Sequence, residues 1–121
     1  MRLVNVLVLA PGEDAPMRVE RIDGHDYREL QRLVEGNLRP CSLPYALRVQ
    51  NWFAQCARTD RRSELNRFAL HLGHAVLRGP IVITKVDYMG EPRSLNRAEL
   101  AFLRSYLAGV GVDKDAPDAL R

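Results

Sequence analysis

The stretch RLVNVLVLA, Arg2 to Ala10, decides how the rest of the chain is read. Its apolar part from Val4 to Ala10 is short, is interrupted by Asn5, and ends at Pro11-Gly12. An export signal needs a longer unbroken apolar core. A near-continuous run of Val and Leu bounded by a turn signal instead describes a β-strand buried on both faces. A strand of that kind needs a partner, and MRVERI, Met17 to Ile22, supplies a second, half-exposed strand that pairs with it.

Outward from these strands the pattern turns helical. Asp26-Tyr27-Arg28-Glu29 has the form of a capping box, with a side-chain oxygen at the cap and a carboxylate three residues on. Tyr27, Leu30, Leu33 and Val34 then fall on one helical stripe, and Gly36 offers a left-handed stop. Asn96-Arg97-Ala98-Glu99 repeats the capping pattern ahead of a stripe at Leu100, Leu103, Tyr106, Leu107 and Val110. Between the two helices, Ile81, Val82, Ile83 and Val86 mark a further strand, followed by a tight connection through DYMGEPRSL. Pro40 and Pro44 exclude a regular helix nearby, and YALRVQNWF reads as a strand. ARTDRRSEL reads as a solvated loop, with Asp60 or Ser63 capping a third helix over 64–72.

The fold class expected is α+β, a single compact domain over residues 1–112 with a loose tail at 113–121. A small, largely antiparallel sheet is covered by two or three helices. Those at 27–35 and 97–108 are placed on one face. The length of 121 residues suits one core without staples. No run of eighteen apolar residues is present, so no membrane helix and no membrane partner is expected. Cys41 and Cys56 form no CxxC unit, and so sparse a set suggests reduced thiols and a cytoplasmic protein. The net charge of +3 is concentrated in residues 41–80, where six Arg face two acids.

The order of landmarks resembles a known family. APG closing the first strand, then ID, ELQRLVEG, RVQNW, LNRFAL, LRGPIVI and GEPRSLNRAEL follow one another from about Leu3 to Leu107. This resembles the small bacteriophage and mobile-element proteins grouped as domain of unknown function 3846. The resemblance implies a phage or plasmid gene and a bacterial cytoplasm. It implies no reaction, and no catalytic residue can be carried over from it.

Three function classes are weighed on the residues. The first is a non-enzymatic interaction module acting on a host or phage protein, since the chain shows no catalytic constellation and implies no cofactor. Neither cysteine has a flanking signature, no serine lies in G-x-S-x-G, and no phosphate loop is present. The second is a nucleic-acid-binding accessory protein using Arg58, Arg61, Arg62 and Arg67, with Trp52 and Phe53 as a stacking surface. Its bland counterpart is a solvated loop beside a buried aromatic pair.

The third class is a metal or small-ligand protein using His71 and His74. On a continuing helix these would share a face. Gly73 between them costs about 1 kcal/mol relative to alanine in a helix, and no third ligand is marked, so helix-end roles are favoured. Asn66-Arg67 is a further candidate, either as an anion-binding pair at a helix start or as a structural amide beside a covering arginine. A homodimer that closes exposed strand edges is the remaining partner expectation.

Overall fold

The N-terminal run folds as β1 (Leu3–Leu9), and its pairing partner as β2 (Met17–Asp23), antiparallel from Leu3↔Asp23 to Leu9↔Met17. The computed structural model describes residues 2–12, 17–57, 64–74 and 76–108. The remaining elements are α1 (Tyr27–Val34), β3 (Leu38–Cys41), α2 (Tyr45–Arg48), β4 (Trp52–Ala57), β5 (Ile81–Val86), β6 (Pro92–Arg93) and α3 (Arg97–Leu107). The strands form one antiparallel sheet in the order β2-β1-β5-β4-β3, with β6 added to β5. The α+β class and the antiparallel sheet follow the sequence reading.

The two-faced burial of β1 governs the layers. Val4, Val6 and Val8 point to one side, where they pack with Ile22, Leu33, Val34 and Val82 under α1. Leu7 and Leu9 point to the other, into a larger core with Trp52, Phe68, Ile81, Ile83, Leu103 and Leu107 beneath α3. The two helices therefore lie on opposite faces, not on one as expected. The physical reason is the strand itself: successive side chains alternate across the sheet, so a continuous apolar strand needs cover on both sides. Each fully buried Val or Leu stabilises the fold by about 1.5–3 kcal/mol relative to exposure.

Local chemistry explains the helix ends, with one shift. Asp26 caps α1 by accepting from the Arg28 N–H (3.0 Å), but Glu29 does not reach back to the cap. It accepts from the Asp23 N–H instead and ties the helix to the end of β2. The left-handed residue at the helix end is Glu35 (φ 63°), not Gly36. A side chain at Gly36 would stand 3.1 Å from the Ala57 Cβ, so glycine there serves a close approach to β4. At α3 the full capping box forms between Asn96 and Glu99.

The middle of the chain departs most from expectation. YALRVQNWF is not one strand: α2 occupies its first half, and Asn51 (φ 61°) turns the chain into β4. Residues 64–72 hold no α-helix, only a 3-10 turn at Leu70–Leu72 closed by Gly73 (φ 83°). Leu65 bridges Arg78 as in a strand, and the Asn66 N–H donates to the Leu77 carbonyl (2.8 Å). Backbone committed to that pairing cannot also make i→i−4 helix bonds. The connection after β5 contains β6, which fills the gap where β1 splays from β5. There the Asn5 N–H donates to Ser94 Oγ (2.7 Å) and Leu95 donates back to the Asn5 carbonyl (3.0 Å).

Cys41 and Cys56 are joined as a disulfide across β3 and β4, replacing the expectation of two reduced thiols. The register pairs Cys41 with Ala54 and Cys56 with Arg39, so the cysteines are diagonal neighbours on one face with Cα atoms 6.4 Å apart. Only strand register reveals this, because spacing along the chain carries no such information. Reduction is expected to lower stability by about 2–3 kcal/mol through the released loop entropy. Denaturant midpoints with and without dithiothreitol measure it. Two alkylatable thiols in the unreduced, unfolded chain would contradict the bond.

Candidate functional site

The residues singled out in the sequence fall in four different settings. Asn66 is buried, at 4% exposure, and its side chain is fully used. Its amide donates to the carbonyls of Leu9 and Gly79 (both 2.9 Å), while its oxygen accepts from the Phe68 N–H (3.0 Å). It clamps the end of β1 to the approach to β5, which is the structural role weighed for it. Arg67 is exposed and lays its guanidinium over the ring of buried Phe68, 4.3 Å from the centroid. Such a cation–π contact covers the core edge.

His71 belongs to the 3-10 turn, and His74 follows its left-handed glycine cap. The His74 Nε2 contacts the Ser42 carbonyl at 2.7 Å and donates to it, so that nitrogen is engaged in packing the turn against the segment after β3. Among the described residues, no group of three His, Cys, Asp or Glu side chains is placed to hold a metal ion. Arg58, Arg61 and Arg62 lie outside the described residues.

Trp52 cannot serve as a stacking surface for bases. It is 3% exposed, its indole N–H donates to Glu99 Oε2 (3.0 Å), and its ring packs 5.8 Å from that of Phe102. The alternation of β4 explains this: Trp52, Ala54 and Cys56 point under α3, and Phe53 points to the α1 face.

That α1 face holds the site that sequence reasoning missed. With eight residues α1 is too short to roof the whole sheet. Beside it lies an apolar groove of about 320 Å³, floored by Val4, Val6, Ile22 and Leu30 and walled by Phe53, Val86 and Pro92. Gln55, Thr84 and Lys85 are its polar lining residues, with the Thr84 hydroxyl turned to the Phe53 carbonyl (3.4 Å). Phe53 is 49% exposed. The β5–β6 turn rises at one end and holds Tyr88 and Met89 outward, at 91% and 72% exposure.

This turn is rigidly built. Asp87 Oδ1 accepts from the N–H groups of Met89 (2.9 Å) and Glu91 (3.0 Å), and its other oxygen pairs with Arg93 (2.9 Å). The Glu91 N–H leads the donors that hold the Asp87 carboxyl below its ordinary pKa, against the opposing effect of burial. His25 reaches Glu91 (3.0 Å) from the turn after β2. Gly24 has no room for a side chain, since a Cβ there would lie 2.5 Å from that of Pro92. The hairpin is thus pressed against the β2 turn, and Gly90 (φ 83°) completes the reversal.

Two features in the sequence point to this site once the strands are known. A phenylalanine alternates with the inward tryptophan on β4, and a tight turn carries Tyr88 and Met89 where polar residues are usual. The groove's Gln55 amide and Thr84 hydroxyl are suited to orient a bound segment by hydrogen bonds, and Lys85, which also lines it, pairs its ammonium with Glu99.

Fold and site together define an α+β domain with an antiparallel sheet and, beside α1, an apolar groove walled in part by Phe53. The chain matches no protein-family model, no curated protein and no solved structure. Among the described residues, no helix is long and apolar enough to cross a membrane.

Proposed function

We propose that the protein is a non-enzymatic interaction module, an accessory protein of a phage or mobile element that binds an apolar segment of a host or phage protein. The observation that carries this reading is the exposure of Phe53 on the wall of the groove, with Tyr88 and Met89 exposed on the adjoining β5–β6 turn. Aromatic residues and methionine are enriched at protein interfaces, and a pocket bordered by them is suited to receive an anchor side chain. The rigid Asp87 turn supports the same reading, because a preordered rim loses little entropy on binding. The resemblance to domain of unknown function 3846 supplies the proposed phage setting and the bacterial cytoplasm. The Cys41–Cys56 disulfide stands against that compartment, where such bonds are rare, so the setting rests on the resemblance alone.

The test is a quantitative pull-down from phage-infected and uninfected bacterial lysates, comparing the native chain with a Phe53→Glu, Tyr88→Glu double variant. Both positions are exposed, so the variant is expected to unfold within about 1 kcal/mol of the parent. A stoichiometric partner kept through 0.3 M salt by the parent (about fourfold the ionic strength of dilute buffer) and lost by the variant supports the reading. Equal capture by both proteins removes the groove from the account. Steep release by salt, with nucleic acid in the eluate, favours the nucleic-acid alternative.

A further inference from the structure

On the opposite face, α3 and the β1–β2 pair enclose an open cleft of about 530 Å³ whose lining includes Arg97, Arg104, Asn5, Val19 and Leu100. Arg97 and Arg104 are seven residues apart on α3, about 10 Å along the helix axis. Arg21 pairs with Asn5 in the β1–β2 register and so points to this face as well. All three are exposed, and among the described residues none has an ion pair or side-chain hydrogen bond. The cleft lining contains no acidic residue. Other described arginines are paired with nearby acids, as in Arg18–Glu20, Arg28–Asp26 and Arg93–Asp87. Two like charges line this concavity and a third stands on the same face, and a bound anion relieves their mutual repulsion.

We propose that this cleft is a second binding site and takes an acidic, extended peptide segment of a protein partner, with its carboxylates on Arg97 and Arg104. Two observations favour a peptide over a nucleic acid. The lining offers Val19, Leu100 and Ala101 and no aromatic ring on which a base could stack. And β2 is an outer strand of the sheet and runs beside the cleft, with no further strand paired to its other edge among the described residues, which suits strand addition. Guanidinium groups bind carboxylates by paired N–H donors, and the apolar floor suits the aliphatic residues between them. This site is independent of the groove under α1, on the other side of the sheet.

The test is a two-dimensional amide NMR titration of the full chain with a peptide of four Glu-Val repeats, in dilute buffer. Shift changes confined to Asn5, Val19–Arg21 and Ser94–Arg104, saturating at submillimolar peptide, are expected. Arg97→Glu with Arg104→Glu is expected to weaken binding by about tenfold or more, since each exposed pair is worth up to about fivefold and reversal adds repulsion. Arg32→Glu, an exposed change on α1, should leave it within about twofold. Equal weakening by Arg32→Glu would reduce the effect to net charge and overturn the site. So would shifts outside the cleft, no shifts at 5 mM peptide (about 3 kcal/mol of binding, too weak to be specific), or tighter binding of oligothymidylate to the same residues.

Discussion

Asn66→Asp is expected to destabilise the fold by about 4–5 kcal/mol, although it changes one side-chain nitrogen to oxygen. The native amide donates to the carbonyls of Leu9 and Gly79 from a buried position. A carboxylate there presents oxygen to both carbonyls, loses the two donations and places a charge out of water. The accepted bond from the Phe68 N–H survives, so the turn that follows Asn66 is kept while the β1 clamp is broken. Asn66→Ala should cost less, about 2–3 kcal/mol, because it introduces no charge. Denaturant unfolding of both variants measures this order. An aspartate variant as stable as the parent would show that Asn66 does not hold the sheet together.

Glu99→Ala is expected to cost about 3–4 kcal/mol. One carboxylate closes the capping box at the Asn96 N–H (3.0 Å), accepts the buried Trp52 indole (3.0 Å) and pairs with Lys85 (2.9 Å). The cap contributes about 1 kcal/mol, and an unpaired buried indole N–H costs a further 1–3 kcal/mol. Glu99→Gln keeps an acceptor for the cap or the indole and removes the charge, so it should cost only about 1–2 kcal/mol.

The same residue sets an acid dependence. Burial pushes the Glu99 carboxyl up, but the Asn96 N–H, Lys85 and Trp52 together outweigh it and hold the group below its ordinary pKa. A carboxylate with a depressed folded-state pKa stabilises fully above its unfolded value. That contribution is lost as pH falls through the lower folded value. Stability should therefore decline on acidification in the parent and more weakly in Glu99→Gln. Emission from Trp52, the sole tryptophan, follows the unfolding directly. Parallel pH profiles in the two proteins would remove Glu99 from the acid response.

The parts of the fold legible in the sequence are those set by near neighbours. Val4 to Leu9 and Ile81 to Ile83 announce strands through apolar composition, and Asn96 with Glu99 announces a helix start within four residues. What failed depends on distant partners. Asn66 opens no helix because its backbone and side chain are engaged by Leu77, Gly79 and Leu9. β3 contains Pro40 and is short, which masks it as a strand. The placing of both helices on one face conflicted with the two-faced apolar pattern of β1, which already required cover on each side. The groove was hidden for a related reason: the end of α1 meets β4 at Ala57 and leaves Phe53, at the other end of that strand, exposed, a matter of helix position and not of any motif.

The central claim, that the groove walled by Phe53 and flanked by the Tyr88–Met89 turn receives a protein partner, is tested most directly by site-specific photo-crosslinking in phage-infected cells. A photoreactive phenylalanine analogue replaces Phe53, Tyr88 or, as a control, the exposed Tyr45 of α2. The account predicts one discrete adduct of the same mass from positions 53 and 88 and none from 45. The same adducts from all three positions, or none from 53 and 88, would contradict it.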